Sequence, residues 1–224
     1  MPINFVDSLR GSEEVVKVKD LNLVIGEKEL LKNANCLVTN KSKVAIIGDN
    51  GCGKSTFIKT LLDGTNDAIK LGNNQQIGYL AQIIEFTDRN QDLLHYFMDE
   101  TGLAEEKARS VLFNFFFFKK DMIKRVGSLS GGEKLRLKLA VLLQQSINFI
   151  ILDEPTNHID IETREVLEQT LKEFKGTLLF VSHDRYFINQ IATNILEFYN
   201  KKIYSVIGNY DDYLINKEIL HSKY

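Results

Sequence analysis

The sequence predicts an α/β fold: a mainly parallel sheet core covered by helices, with an antiparallel β portion and a helical insert. Three observations predict it. Short, almost wholly apolar runs recur along the chain, helical patterns separate them, and one run leads directly into a glycine-rich loop that opens a further helical pattern.

Val15-Val16-Lys17-Val18 is the first strand-like run, and the first and last portions of the chain are expected to add shorter, antiparallel strands. Lys43-Val44-Ala45-Ile46-Ile47, Phe149-Ile150-Ile151-Leu152 and Thr177-Leu178-Leu179-Phe180-Val181 are nearly all apolar, as strands buried on both faces are. Leu135-Leu137-Leu139-Ala140-Leu142-Leu143 and Thr163-Val166-Leu167-Thr170-Leu171 recur at helical spacing. Ile83 to Arg125 is helix-like and crowds Phe113, Phe115, Phe116, Phe117 and Phe118 together. Most of these rings are expected to pack the insert, but four consecutive aromatics cannot share one helix face, so at least one is expected to be accessible or at a lobe boundary.

The bulk properties fit one folding unit. The chain has 224 residues, 44% hydrophobic and 26% charged, two prolines and no low-complexity tract or internal repeat. A single domain over 1–224 is expected, with a core of about 1–82 and 138–224 and a helical insert of about 83–137. The formal net charge of -2 gives no global basic field, so direct DNA binding is not expected and any polyanion contact must be local. No apolar stretch reaches the roughly 18 residues of a bilayer span, and Met1-Pro2-Ile3-Asn4-Phe5 lacks a signal-peptide layout, so a cytoplasmic location and no transmembrane segment are expected. Cys36 and Cys52 lack the spacing of a disulfide framework or zinc site and read as reduced thiols.

Gly48-Asp49-Asn50-Gly51-Cys52-Gly53-Lys54-Ser55 fits G-x-x-x-x-G-K-[ST], with a strand before it and a helical run from Thr56 after it. The glycines let the backbone wrap phosphates, the helix N-terminus meets their charge, Lys54 adds a cation and Ser55 offers a hydroxyl to Mg²⁺. Cys52 sits where the backbone does the work. Asp153-Glu154 ends the third buried run, expected beside the phosphate loop of the neighbouring strand. Asp153 suits a Mg²⁺ partner and Glu154 a base that polarises water.

These two motifs join three more points in order: Gln82 in Tyr79-Leu80-Ala81-Gln82, Leu129-Ser130-Gly131-Gly132-Glu133, and His183 after Val181-Ser182. The set resembles the P-loop NTPases of ATP-binding-cassette (ABC) type, over Val15 to His183. The resemblance implies ATP and Mg²⁺ as ligands, ATP hydrolysis, and a second cassette as partner in a face-to-face dimer. Nucleotide contacts would come from Gly48, Asn50, Gly51, Cys52, Gly53, Lys54, Ser55 and Thr56, and in trans from Ser130, Gly131 and Gly132. Ser55, Asp153 and Gln82 would serve Mg²⁺, Glu154, His183 and Gln82 the chemistry, and Asp160 would act across the dimer. The adenine-stacking aromatic of many cassettes would fall near Ile25, which packs without stacking, so GTP is expected to be tolerated.

Asp153-Glu154-Pro155-Thr156-Asn157-His158-Ile159-Asp160, Ser182-His183-Asp184-Arg185-Tyr186-Phe187 and Gly208-Asn209-Tyr210-Asp211-Asp212-Tyr213 further resemble the second cassette of ABC-F proteins. That implies the ribosome and ribosomal RNA as partner, in translation or in ribosome protection from antibiotics. The alternative is the ATP-binding subunit of a membrane transporter, against which only a modest insert separates Gln82 from Ser130; a chromosome-maintenance ATPase would need a long coiled-coil insertion. Lys119, Lys120, Lys124, Arg125, Lys134, Arg136 and Lys138 form a basic stretch with only Asp121 and Glu133 against it, suited to RNA or simply a solvated face. Asp153 to Glu173 is oppositely biased, and the two could help cassettes dock.

Overall fold

A computed structural model describes residues 12–157 and 159–222; the opening segment Met1–Phe5 and His158 of the acidic motif lie outside it. Two sheets form the frame. A six-stranded sheet has the order β5-β6-β7-β3-β8-β9, and a three-stranded sheet the order β2-β1-β4. The strands are β1 (Glu14–Ile25), β2 (Lys28–Thr39), β3 (Lys43–Gly48), β4 (Ile69–Leu71), β5 (Ile77–Leu80), β6 (Phe149–Asp153), β7 (Thr177–Val181), β8 (Asn194–Tyr199) and β9 (Lys202–Ile207). From β5 to β8 all neighbours run parallel; β9 runs antiparallel to β8, and β1 antiparallel to β2 and β4.

The continuous apolar runs become central strands because both faces are covered. Val44 and Ile46 of β3, Phe149 and Ile151 of β6, and Leu179 and Val181 of β7 enter one core, shared with the three-stranded sheet and with Phe57, Ile58 and Leu61 of α1 (Lys54–Asp63). The alternate residues Ala45, Ile47, Ile150, Leu152, Leu178 and Phe180 enter the other. That core also takes side chains from α2 (Leu93–Thr101), α3 (Glu105–Asn114), α4 (Gly131–Leu142), α5 (Ile161–Glu173), α6 (Arg185–Ile191) and α7 (Tyr210–Ser222). The side-chain period of two divides each strand between the two cores, and each large apolar group so buried contributes roughly 1.5–3 kcal/mol.

Two expectations needed correction. The antiparallel strands of the first portion are the longest in the molecule, twelve residues each in β1 and β2, not shorter ones. Their solvent-facing alternation and register shifts, with Asn33 at φ 48, hide their length from a search for continuous apolar runs. The acidic strand β6 is also not the hydrogen-bonded neighbour of the phosphate-loop strand β3, because β7 lies between them. Pairing partners distant in sequence leave no local pattern, whereas the register is plain: Val181 stands level with Ile46 on one side and Asp153 on the other.

Candidate functional site

The phosphate loop leaves β3 at Gly48, whose φ of 145 is closed to other residues; a Cβ there would stand 2.5 Å from the Phe198 carbonyl oxygen of β8. Gly53, at φ 111, caps α1 with no side-chain hydrogen bond, so the first amides of the helix keep their donors for an anion. The buried Lys54 ammonium donates to the carbonyls of Gly48 (2.8 Å) and Asp49 (3.0 Å). A cavity of about 300 Å³ opens over the loop, lined by Asn50, Gly51, Gly53, Lys54, Ser55, Thr56 and Glu154. Gly48 and Cys52 stand outside that lining; Cys52 is a free thiol, pushed up by burial, which outweighs the pull of Lys54.

On its far side the cavity is lined by Ile25, Lys28 and Leu30, where β1 turns into β2. Lys28, which donates to the Gly51 carbonyl at 3.2 Å, is a lining cation that sequence reasoning missed. Its signal was faint: a lysine just past a glycine turn, paired with Ile25 across the hairpin.

Across the intervening strand, Ser55 Oγ donates to Asp153 Oδ1 at 3.2 Å, joining the two motifs at one point. Burial pushes the Asp153 carboxyl above its ordinary range and the Glu154 charge adds to the push, while the Ser55 hydroxyl, Lys59 and Lys54 pull against it. The donors are hard oxygens at the foot of a phosphate cradle, which fits Mg²⁺. Glu154 follows at φ 52, a left-handed conformation that turns its side chain away from the strand direction. Its carboxylate accepts from Asn157 Nδ2, and His183 Nε2 stands 3.5 Å from Oε1. His183 reaches it because β7, the strand it follows, is the intervening one. Asn157 is the second residue missed; its spacing of three from Glu154 carried the signal.

Gln82 is not in the cavity with Ser55. It lines a separate cleft of about 270 Å³ with Gly131, Lys134, Glu154 and Asn157, so Glu154 faces both spaces. Ser130 and Gly132 line neither. Ser130 caps α4 through a capping box: its hydroxyl accepts from the Glu133 amide (3.2 Å) and Glu133 accepts from the Ser130 amide (2.8 Å). Gly132 is buried where a Cβ would meet Thr163 Oγ1 at 2.7 Å and Asp160 Oδ2 at 2.9 Å. Asp160 caps α5 by accepting from the Thr163 amide at 2.7 Å, and that bond, with Arg136 nearby, holds its carboxyl below the usual range against burial.

The basic stretch is thinner than its composition implies. Lys124 pairs with Asp121 (2.8 Å) and Glu133 (2.9 Å). Arg136 is buried, bonded to Thr163 Oγ1 at 2.8 Å and set over the Phe117 ring. Lys138 bonds the Tyr96 hydroxyl. Lys119, Lys120 and Arg125 remain exposed, with Lys134 half-buried.

The family described as ABC transporter matches residues 31–157. YdiF of Bacillus subtilis is 44% identical over 213 residues, covering 93% of this chain and 33% of that protein. ABC transporter F family member 5 of Arabidopsis thaliana is 36% identical over 223 residues, 96% of this chain and 32% of its own. The ribosome protection protein VmlR of Bacillus subtilis is 33% identical over 196 residues, 87% and 36%. The chain thus spans about a third of the length of these relatives. Among solved structures, a bacterial Atm1-family ABC exporter with ATP bound shares the fold, with a TM-score of 0.77 at 20% identity, covering 97% of this chain and 42% of that one. Among the described residues, no helix is long and apolar enough to cross a membrane.

Proposed function

The chain belongs to the ABC transporter family, and from that premise we propose that it is a Mg-ATP-hydrolysing cassette whose site closes against a second cassette. The observation that carries the reading is the cluster at the ends of three strands: Ser55 on Asp153, and Glu154 beside His183, under one phosphate cavity. Gly51, Gly53 and the first turn of α1 bind the phosphates, and Lys54 leaves its carbonyl partners for their oxygens. Ser55 and Asp153 would hold Mg²⁺, which when bound neutralises phosphate charge, and Gln82 would join them only by moving out of the separate cleft it lines. Glu154 accepts a proton from water or orients it, held in place by Asn157, and His183 donates to the terminal phosphate. Ser130, Gly131 and Gly132, set apart from this chain's own cavity, would bind the nucleotide of the partner cassette, with Asp160 across the same contact.

We read the wider protein as ABC-F, this chain matching its second cassette and acting with the ribosome in translation or ribosome protection. Similarity to a family F member and to a ribosome protection protein supports this, as do the three extended motifs. Replacing Glu154 tests the chemistry. Glu154→Gln should lower ATP turnover, read as phosphate release, at least about 100-fold while ATP binding persists. Turnover close to that of the parent would refute the role of Glu154 as base.

A further inference from the structure

The end of α3 carries an aromatic cluster that the ATPase site does not use. Helix α3 closes in a Schellman motif: the Phe117 amide donates to the Leu112 carbonyl and the Phe116 amide to the Phe113 carbonyl, both at 3.0 Å. The left-handed position in that motif is ordinarily glycine's, yet here Phe116 occupies it at φ 60. A bulky residue there costs of order 1 kcal/mol or more, and Phe116 does not offset that cost by full burial, being 41% exposed. Phe115 and Phe117 point inward and are buried, while Phe113 (51%) and Phe118 (44%) share the outside with Phe116. The rings of Phe113 and Phe118 meet edge to face, 5.7 Å apart and 84° to one another, so they expose ring faces at an angle and not one smooth apolar surface.

The exposed charges that follow these rings in sequence are basic. Lys119 and Lys120 follow directly and are exposed. The nearest acid in sequence, Asp121, is buried, accepts from the Phe118 amide (3.0 Å) and is paired to Lys124. Accessible aromatic rings next to exposed cations are what a single-stranded nucleic acid meets: bases stack on the rings and phosphates meet the ammonium groups.

We infer that Phe113, Phe116 and Phe118, with Lys119 and Lys120, form a stacking platform for unpaired RNA bases on the helical insert. This rests on the ribosome reading for where such RNA is met, not for the binding itself. The probe is a fluorescently labelled 12-nucleotide oligouridine, titrated with the 224-residue chain at low and moderate salt. Wild type should bind it more tightly than a duplex of equal length. Phe116→Gly supplies the residue the left-handed turn prefers, so its melting temperature should be unchanged or raised and its ATP turnover unchanged. Its RNA affinity should fall about 5- to 100-fold, the loss of one stacked base. Lys119→Ala with Lys120→Ala should reduce the salt slope by about 1.4, two phosphate contacts at about 0.7 each on a single strand.

Absence of binding at 50 mM salt, equal affinity for duplex, or a Phe116→Gly variant that binds as wild type would each overturn the platform. Binding to phosphatidylserine vesicles that is lost in Phe116→Gly, with no RNA binding, would overturn it in favour of a membrane. Turnover and RNA binding are separate readouts, so a failed ATPase reading leaves this test intact.

Discussion

Ile25 lines the phosphate cavity while more than half exposed, where on the proposed reading it would meet the base. A branched aliphatic side chain packs on a purine without reading its edge and without the added attraction of an aromatic face. ATP and GTP are therefore expected to bind within a few-fold of each other, and Ile25→Tyr to tighten both, roughly 2- to 10-fold. Titration of the two nucleotides against both proteins checks this; a strong adenine preference in the parent would sink it. Much of the site at this scale was legible in the sequence. Lys54, Ser55, Asp153 and Glu154 sit in motifs where identity and spacing are themselves the chemical requirement. Lys28 and Asn157 left only a spacing as signal, because their positions arise from a hairpin folding over the loop and from the turned backbone at Glu154.

At the scale of the element, α4 depends on its first turn. Burial alone would raise the Glu133 carboxyl, but the Lys124 ammonium and the Ser130 amide and hydroxyl bring it below its ordinary value; Asp121 is likewise lowered by Lys124 and the Phe118 amide against burial. Groups lowered on folding stabilise the folded state above their unfolded pKa, and that contribution is lost as pH falls through the depressed values. Acidification below the ordinary carboxylate range should therefore lower the melting temperature. Glu133→Gln, which keeps a capping oxygen but loses the charge, should melt a few degrees lower at pH 7 and fall less steeply on acidification. Equal acid sensitivity in the two proteins would remove Glu133 from the account. The strands β3, β6 and β7 could be read in advance because both of their faces are buried. In the insert, helix capping decided which phenylalanines face outward, and the aromatic run could say only that not all could point one way.

For the whole molecule, the last helix returns to the sheet beside the phosphate loop. The Tyr213 hydroxyl donates to Glu197 Oε1 at 2.6 Å with both side chains buried, and Glu197 stands opposite Ile47 in the β3–β8 pair. Tyr213→Phe is expected to cost about 1–3 kcal/mol and to lower the melting temperature by roughly 2–10 °C in thermal unfolding. An unchanged transition would mean that the bond adds nothing to α7 docking. The parallel sheet and its helices were legible at this scale; the strand order was not, since β7 enters between β6 and β3 by pairing with β3 across 135 residues of sequence, Lys43 with Leu178. That interposition works as a gauge. Strands repeat at about 4.8 Å, so β3 and β6 are held two repeats, close to 10 Å, apart. Ser55 meets Asp153 at 3.2 Å because the phosphate loop carries it from the end of β3 to the first turn of α1. The separation of the two strands is a multiple of the sheet repeat and changes only when a strand is gained, lost or moved, so the length of the loop that carries Ser55 is matched to that fixed span.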